Sequence, residues 1–144
     1  MASAFDEIWA DASADLDAEF GESLMLYPRA AAVDPSGRPD PNARPVASVA
    51  RAPVPFVGIF FDKGAMLHAH GRSMADSTTR PVVAERPMID VSRGQFQGRE
   101  PAQGDLVQRL APVAIYEVTR FVVDDLDRAW VHLAEQRIAG AQLR

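Results

Sequence analysis

The sequence predicts a mainly β fold: a small barrel or sandwich of about six strands with an N-terminal amphipathic helix and long loops. Three observations predict it. From Val46 onward, short β-branched and aromatic runs alternate with turn residues. A helical apolar period is confined to the first twenty residues or so. No cysteine is present to staple a loop-rich fold, so a hydrophobic core must hold the chain together. At 144 residues the chain suits one domain. It divides into a helix at 1–21, a proline-rich arm at 28–45, a β core at 46–135 and a tail at 136–144.

Phe5, Ile8, Trp9, Ala12, Leu16 and Phe20 recur at three- and four-residue spacing, the stripe of an amphipathic helix, which is expected to pack onto the core through Trp9. Ser3 followed by Asp6 is a variant of the capping box. Gly21 is expected to stop the helix in the left-handed C-cap conformation. A short strand follows at 22–27. Pro28, Pro35, Pro39, Pro41 and Pro45 then fix φ and withhold backbone donors, which predicts an extended arm.

Residues 54–62 read as a strand, with Gly58 marking a bulge. Residues 63–79 read as a long polar loop. A strand over 81–91 contains Pro87, which demands an edge or a bulge. After a second polar loop at 92–104 come strands at 106–110, 113–123 and 128–135, the last two joined by a turn of three aspartates. Along the closing strand Trp130 and Val131 face opposite ways, so one of them lies on the outer surface.

The net charge of −5 is unevenly spread. Residues 1–28 carry seven acids and no base, residues 29–101 ten bases against seven acids, and the remainder five against six. An acidic head on a mildly basic body can orient subunits, or it can be a solvated helix face. The bases are scattered arginines with Lys63 the one lysine, and they form no stripe for tracking phosphates. No apolar run reaches membrane-spanning length, so no membrane partner is expected. The acidic start lacks the features of a signal peptide, and the expectation is an unprocessed chain.

Catalytic patterns are sparse. Ser73, Ser77 and Ser92 stand outside any G-x-S-x-G elbow, and Lys63 is not part of a phosphate-binding loop. Asp124, Asp125 and Asp127 lack calcium-loop spacing. The reading is a binding protein without cofactor or catalytic residues. An alternative is a small metal- or ligand-binding barrel using His68 and His70, although no further ligands accompany that pair at useful spacing. A cellular protein-interaction adaptor is a third reading.

One further pattern lies in the order of the segments. Gly58-Ile-Phe-Phe-Asp62 precedes the long loop, followed by Arg80-Pro-Val-Val-Ala-Glu-Arg-Pro-Met-Ile-Asp-Val91. Then come Gly104-Asp105 opening a strand, Tyr116-Glu-Val118, and an aspartate turn into Trp130-Val-His-Leu133. This order, from Phe56 to Leu133, resembles the head–tail joining (neck, stopper or head-completion) proteins of long-tailed phages and gene-transfer particles, of the lambda type. The acidic helix and the arm, with Pro39-Asp40 and Arg44-Pro45, look similar more loosely. Two departures are a longer loop at 92–101, and Asp125-Leu126-Asp127 where a glycine is usual.

The resemblance implies a virion protein assembled in the bacterial cytoplasm. It implies a homo-oligomeric ring, expected to be a hexamer, between portal or adaptor proteins on the head side and tail terminator or tail tube proteins. DNA would pass through the channel without sequence-specific binding. The candidate partner-binding residues are Lys63, Gly64, Met66, Leu67, His68, His70, Arg72 and Met74 of the loop, with Phe5 and Trp9 of the helix.

Overall fold

A computed structural model describes residues 3–68 and 82–136. Its elements are α1 (Ala4–Phe20), β1 (Glu22–Tyr27), β2 (Arg29–Ala30), β3 (Val46–Ala47), β4 (Val54–His68), β5 (Val82–Ser92), a 3₁₀ turn η1 (Arg93–Phe96), β6 (Leu106–Leu110), β7 (Val113–Val123) and β8 (Arg128–Glu135). Six strands close into an antiparallel barrel in the order β1-β4-β5-β8-β7-β6, and β2 pairs with β3 outside it. The fold is the mainly β barrel that the alternating runs predict. Closure gives every barrel strand two neighbours, which removes the usual template for sheet-to-sheet aggregation from the barrel itself. Among the described residues the β4–β5 ladder beyond the bulge at Phe61 and Gly64 pairs on one side only.

Alternation fills the interior. Leu24 and Leu26 of β1, Val54 and Phe56 of β4, Ile89 and Val91 of β5, Val107 of β6, Val118 of β7, and Ala129, Val131 and Leu133 of β8 point inward and are buried. A barrel this narrow is a packed core, not a pore. One end is plugged by aromatic rings: Phe96 of η1 is completely buried, 5.0 Å from Phe56 and 5.8 Å from Phe121. The segment read as a polar loop thus supplies a core residue.

Nearer the other end the interior turns polar. Arg109 lies opposite Leu24 in the β1–β6 pairing and shares its inward face. Its guanidinium sits 4.2 Å above the Phe60 ring, and its Nε lies 2.7 Å from Glu22 in an ion pair. Tyr116 stacks obliquely on Phe60 at 5.1 Å. Burial pushes the Tyr116 hydroxyl above the usual tyrosine pKa; Arg109 opposes that shift, and Asp62 and Glu135 add to it.

Several local expectations need correction. Residues 63–68 are not loop: they extend β4, paired in register with β5 from Gly64 opposite Arg86 to His68 opposite Val82. The break read at Lys63-Gly64 is a bulge between Phe61 and Gly64, and Pro87 stands across from it. There its missing N–H costs no ladder bond. The remainder of the expected loop, 69–79, lies outside the described residues, as does the tail beyond Gln136. Gly58 marks a tight contact and not a bulge: a Cβ there would sit 2.6 Å from Ile89 Cγ2.

Gly21 does not cap the helix in the left-handed region; its φ is −72° and ψ 146°. Glycine is needed there for space, because a Cβ would meet Asp17 O at 2.2 Å and Val57 Cγ1 at 2.6 Å. The arm is not extended. Asp34 accepts bonds from the backbone N–H groups of Ser36 and Arg38, Gly37 turns with φ +81°, and β2 and β3 close the lobe. In the aspartate turn, Asp124 accepts from the N–H groups of Leu126 and Arg128, and Asp127 takes φ +59°. Aspartate is one of the few side chains that tolerate the left-handed region, so it serves where glycine is usual.

Candidate protein-binding site

α1 begins with a complete capping box. Asp6 N–H donates to Ser3 Oγ at 3.2 Å, and Ser3 N–H donates to Asp6 Oδ2 at 2.7 Å. The helix then crosses the outside of the barrel from the β7–β8 turn, where Trp9 Nε1 donates to Leu126 O at 3.0 Å, to the start of β1, where Gly21 meets Val57.

The face it turns to the barrel is not the apolar stripe. Ser13 and Asp17 are its buried residues. Beneath them Arg128, 4 % exposed, donates to Asp17 and to Asp90 at 2.8 Å each and also to Ser13 Oγ. Burial by itself lowers an arginine's pKa. The bonds from Asp17 and Asp90 outweigh it, and Arg128 holds its proton more firmly than a free guanidinium. The helix is therefore clamped by a buried ionic cluster whose partners come from α1, β5 and β8.

Satisfying Arg128 leaves the stripe outward, about a quarter turn round the helix from Ser13 and Asp17 at the ~100° per residue of an α-helix. Phe5, Ile8, Leu16 and Phe20 are exposed, Ile8 by 69 % and Phe20 by 63 %. Asp11 and Asp15 flank the stripe and Glu19 lies within it, all exposed. Phe5 stacks on Trp9 with ring centroids 6.5 Å apart and planes within 7°, and the pair ends the stripe beside the β7–β8 turn. Between helix and turn opens a cleft of about 560 Å³, lined by Trp9 with the carboxylates of Asp6, Asp17, Asp125 and Asp127. Single exposed hydrophobic residues need no explanation, but a row along one helix face is a candidate interaction surface.

A second apolar strip lies on the barrel wall. The register sets Ile59, Asp90, Trp130 and Val122 side by side on the outer face, with Phe61, Met88, His132 and Arg120 in the next row. Trp130 is indeed the outward residue of its pair, half-buried against Phe61 at 6.0 Å, while Val131 is fully buried.

Of the sequence-predicted site residues, the structure brings Phe5 and Trp9 together on α1 and sets Lys63, exposed, in β4. Gly64, Met66, Leu67 and His68 lie in the paired extension of β4, away from the helix in sequence and element. His70, Arg72 and Met74 lie outside the described residues. Among the described residues, no group of three or more His, Asp or Glu side chains is arranged to hold a metal ion. Sequence reading missed Arg128 and its partners Ser13, Asp17 and Asp90. One signal was available: Arg128 shares its strand face with Trp130, so an arginine at the entry of a half-buried strand asks what lies over it.

The arm forms the other exposed lobe. Asp105, 1 % exposed, receives the N–H groups of Arg29 and Ala102 at 2.9 Å each and both terminal nitrogens of Arg51, at 2.8 and 2.7 Å. Gly104, with φ +90°, makes the turn that aims this carboxylate inward. Arg51 also donates to Arg29 O at 2.9 Å. The lobe beyond this anchor shows Val33, Val46 and Val49 to the surface, with Arg38 and Arg44 beside them.

Comparison with models of known protein families gives no match, and comparison with characterised proteins gives none either.

Proposed function

We propose that the chain is a structural subunit of a virion neck, joining a DNA-filled head to a tail as part of a homo-oligomeric ring. The observation that carries the binding half of this reading is the outward apolar face of α1. Phe5, Ile8, Leu16 and Phe20 stand exposed on a helix whose neighbouring face is fixed by the Arg128 cluster. A rigid scaffold holding apolar side chains in water is built for a partner. The closed barrel adds to this, since self-assembly through side-chain surfaces avoids open-ended strand pairing. The virion half rests on the resemblance of residues 56–133 to head–tail joining proteins. The β4–β5 hairpin supports it as well, because its ladder runs past the bulge at Phe61 and Gly64 to His68 and Val82. A strand pair that runs on past its neighbours is a ready contact for a neighbouring ring.

The test is reconstitution. Particles assembled without this chain should accumulate as separate filled heads and free tails, and adding the purified protein should join them. Joining that proceeds equally well without the chain would defeat the proposal. A chain that captures only cellular proteins, and never heads or tails, would favour an adaptor instead.

A further inference from the structure

We infer that neighbouring copies meet through the acidic apolar face of α1 on one copy and the arginine-bearing arm lobe on the next. The inference deepens the ring reading above by naming its contact.

Three observations carry it. First, the two surfaces are complementary in kind: Phe5, Ile8, Leu16 and Phe20 face outward on α1, while Val33, Val46 and Val49 do so on the arm, Val49 being fully exposed at 105 %. Second, they are complementary in charge. Residues 1–28 carry seven acids and no base, and Asp11 and Asp15 flank the stripe. Arg38 and Arg44 are exposed on the lobe, and neither takes part in an ion pair among the described residues. The lobe's two acids, Asp34 and Asp40, are instead partly buried and turned onto backbone N–H groups of their own loop. Opposed fields of this kind set orientation and register at an interface.

Third, they are anchored at different places on the barrel. α1 is clamped to β5 and β8 through Asp90 and Arg128, whereas the arm is pinned at Asp105, the residue before β6. In the barrel order, β6 stands three strands from β5 and two from β8. Helix and lobe are thus anchored separately, and both keep their apolar side chains exposed. A contact between two different surfaces is head-to-tail, and repeated with a rotation that divides the full circle it closes a ring. Self-complementary pairing of two α1 faces would set acid against acid and is disfavoured.

Because the chain has no cysteine, the contact can be read by cross-linking. Ile8→Cys and Val49→Cys are made separately, shown to melt like the parent, mixed at high concentration and treated with a short bismaleimide. The expected result is an Ile8→Cys to Val49→Cys adduct about tenfold more abundant than either homotypic adduct, the preference falling as salt screens the charges. Reversing the arm charges (Arg38→Glu with Arg44→Glu) should abolish that preference, and adding Asp11→Arg with Asp15→Arg should restore it. Homotypic adducts as abundant as the mixed one, or charge reversal without effect, would overturn the inference. A preferred mixed adduct from a protein that never joins heads to tails would leave this contact standing and defeat the virion reading alone.

Discussion

The Arg128 guanidinium reaches from the first residue of β8 to the Asp17 carboxylate on α1 at 2.8 Å, and this one pair fixes which face of the helix is hidden. Asp90 takes a second bond from the same side chain at 2.8 Å. Removing the cation leaves two carboxylates, 11 % and 17 % exposed, with their charge uncompensated. Breaking a buried ion pair from one side costs about 3–5 kcal/mol. Arg128→Met is expected to lower unfolding stability by about that amount in a denaturant titration. Adding Asp17→Leu and Asp90→Asn should recover most of the loss, and a double-mutant cycle reads the coupling.

Gly21 tests how tightly the helix end is seated. Its φ of −72° suits any residue, so a substitution is opposed only by the space a side chain needs. The added methyl of Gly21→Ala would overlap Asp17 O, a backbone atom, and Val57 Cγ1. Overpacking of this kind costs about 1–3 kcal/mol. A fall in melting temperature is expected, and an unchanged one would show that the helix end has room to shift.

The strands were legible because each announces itself locally. The runs at 22–27, 106–110, 113–123 and 128–135 alternate and end in turn residues, and the structure places β1, β6, β7 and β8 on those residues. The end of β4 was not legible, because Lys63-Gly64 has the composition of a turn while cross-strand pairing with β5 overrides it. Phe96 was hidden in a glycine- and glutamine-rich stretch, its burial decided by the open barrel end that it fills. For the candidate site, the stripe from Phe5 to Phe20 could be read but its direction could not. Periodicity finds an apolar face, whereas the buried arginine that turns the polar face inward comes from a strand more than a hundred residues away.

Asp105 is expected to control the arm. Its carboxylate satisfies two backbone N–H groups and Arg51 from a site with 1 % exposure. Asp105→Ala strands those donors, and each unmet buried bond costs about 1–3 kcal/mol. The Arg51 charge itself contributes little to the loss, because that side chain is 36 % exposed and screened by water. Trypsin does not cleave the Arg38-Pro39 and Arg44-Pro45 bonds, but it should then cut after Arg29 and Arg51 faster than in the parent, while the barrel resists. Cleavage at the parent rate would show that the lobe holds its shape without the anchor.

Phe96→Ala empties the plugged end of the barrel between Phe56 and Phe121. Truncating a buried phenylalanine costs about 3–5 kcal/mol. The expected readout is a matching loss of stability with the β spectrum retained at low temperature. A loss below about 1 kcal/mol would mean that the neighbouring rings close the gap.

The capping box makes the start of α1 sensitive to acid. The Ser3 N–H and the Ser3 hydroxyl bond the Asp6 carboxylate and hold it below its ordinary pKa of 3.8. A carboxyl lowered on folding stabilises the fold above its unfolded pKa, and that contribution fades as pH falls through the lower folded value. Asp6→Asn should therefore be less stable than the parent at neutral pH, and the gap should close toward about pH 2, where the parent carboxyl is protonated as well. Trp9 reports the change directly, since it stacks on Phe5 and hydrogen-bonds Leu126 within the turn that the box secures. Its fluorescence, followed through denaturation at several pH values, should show midpoints that converge below about pH 4. A gap of constant size across that range would mean that the carboxylate's charge contributes nothing to holding the helix start.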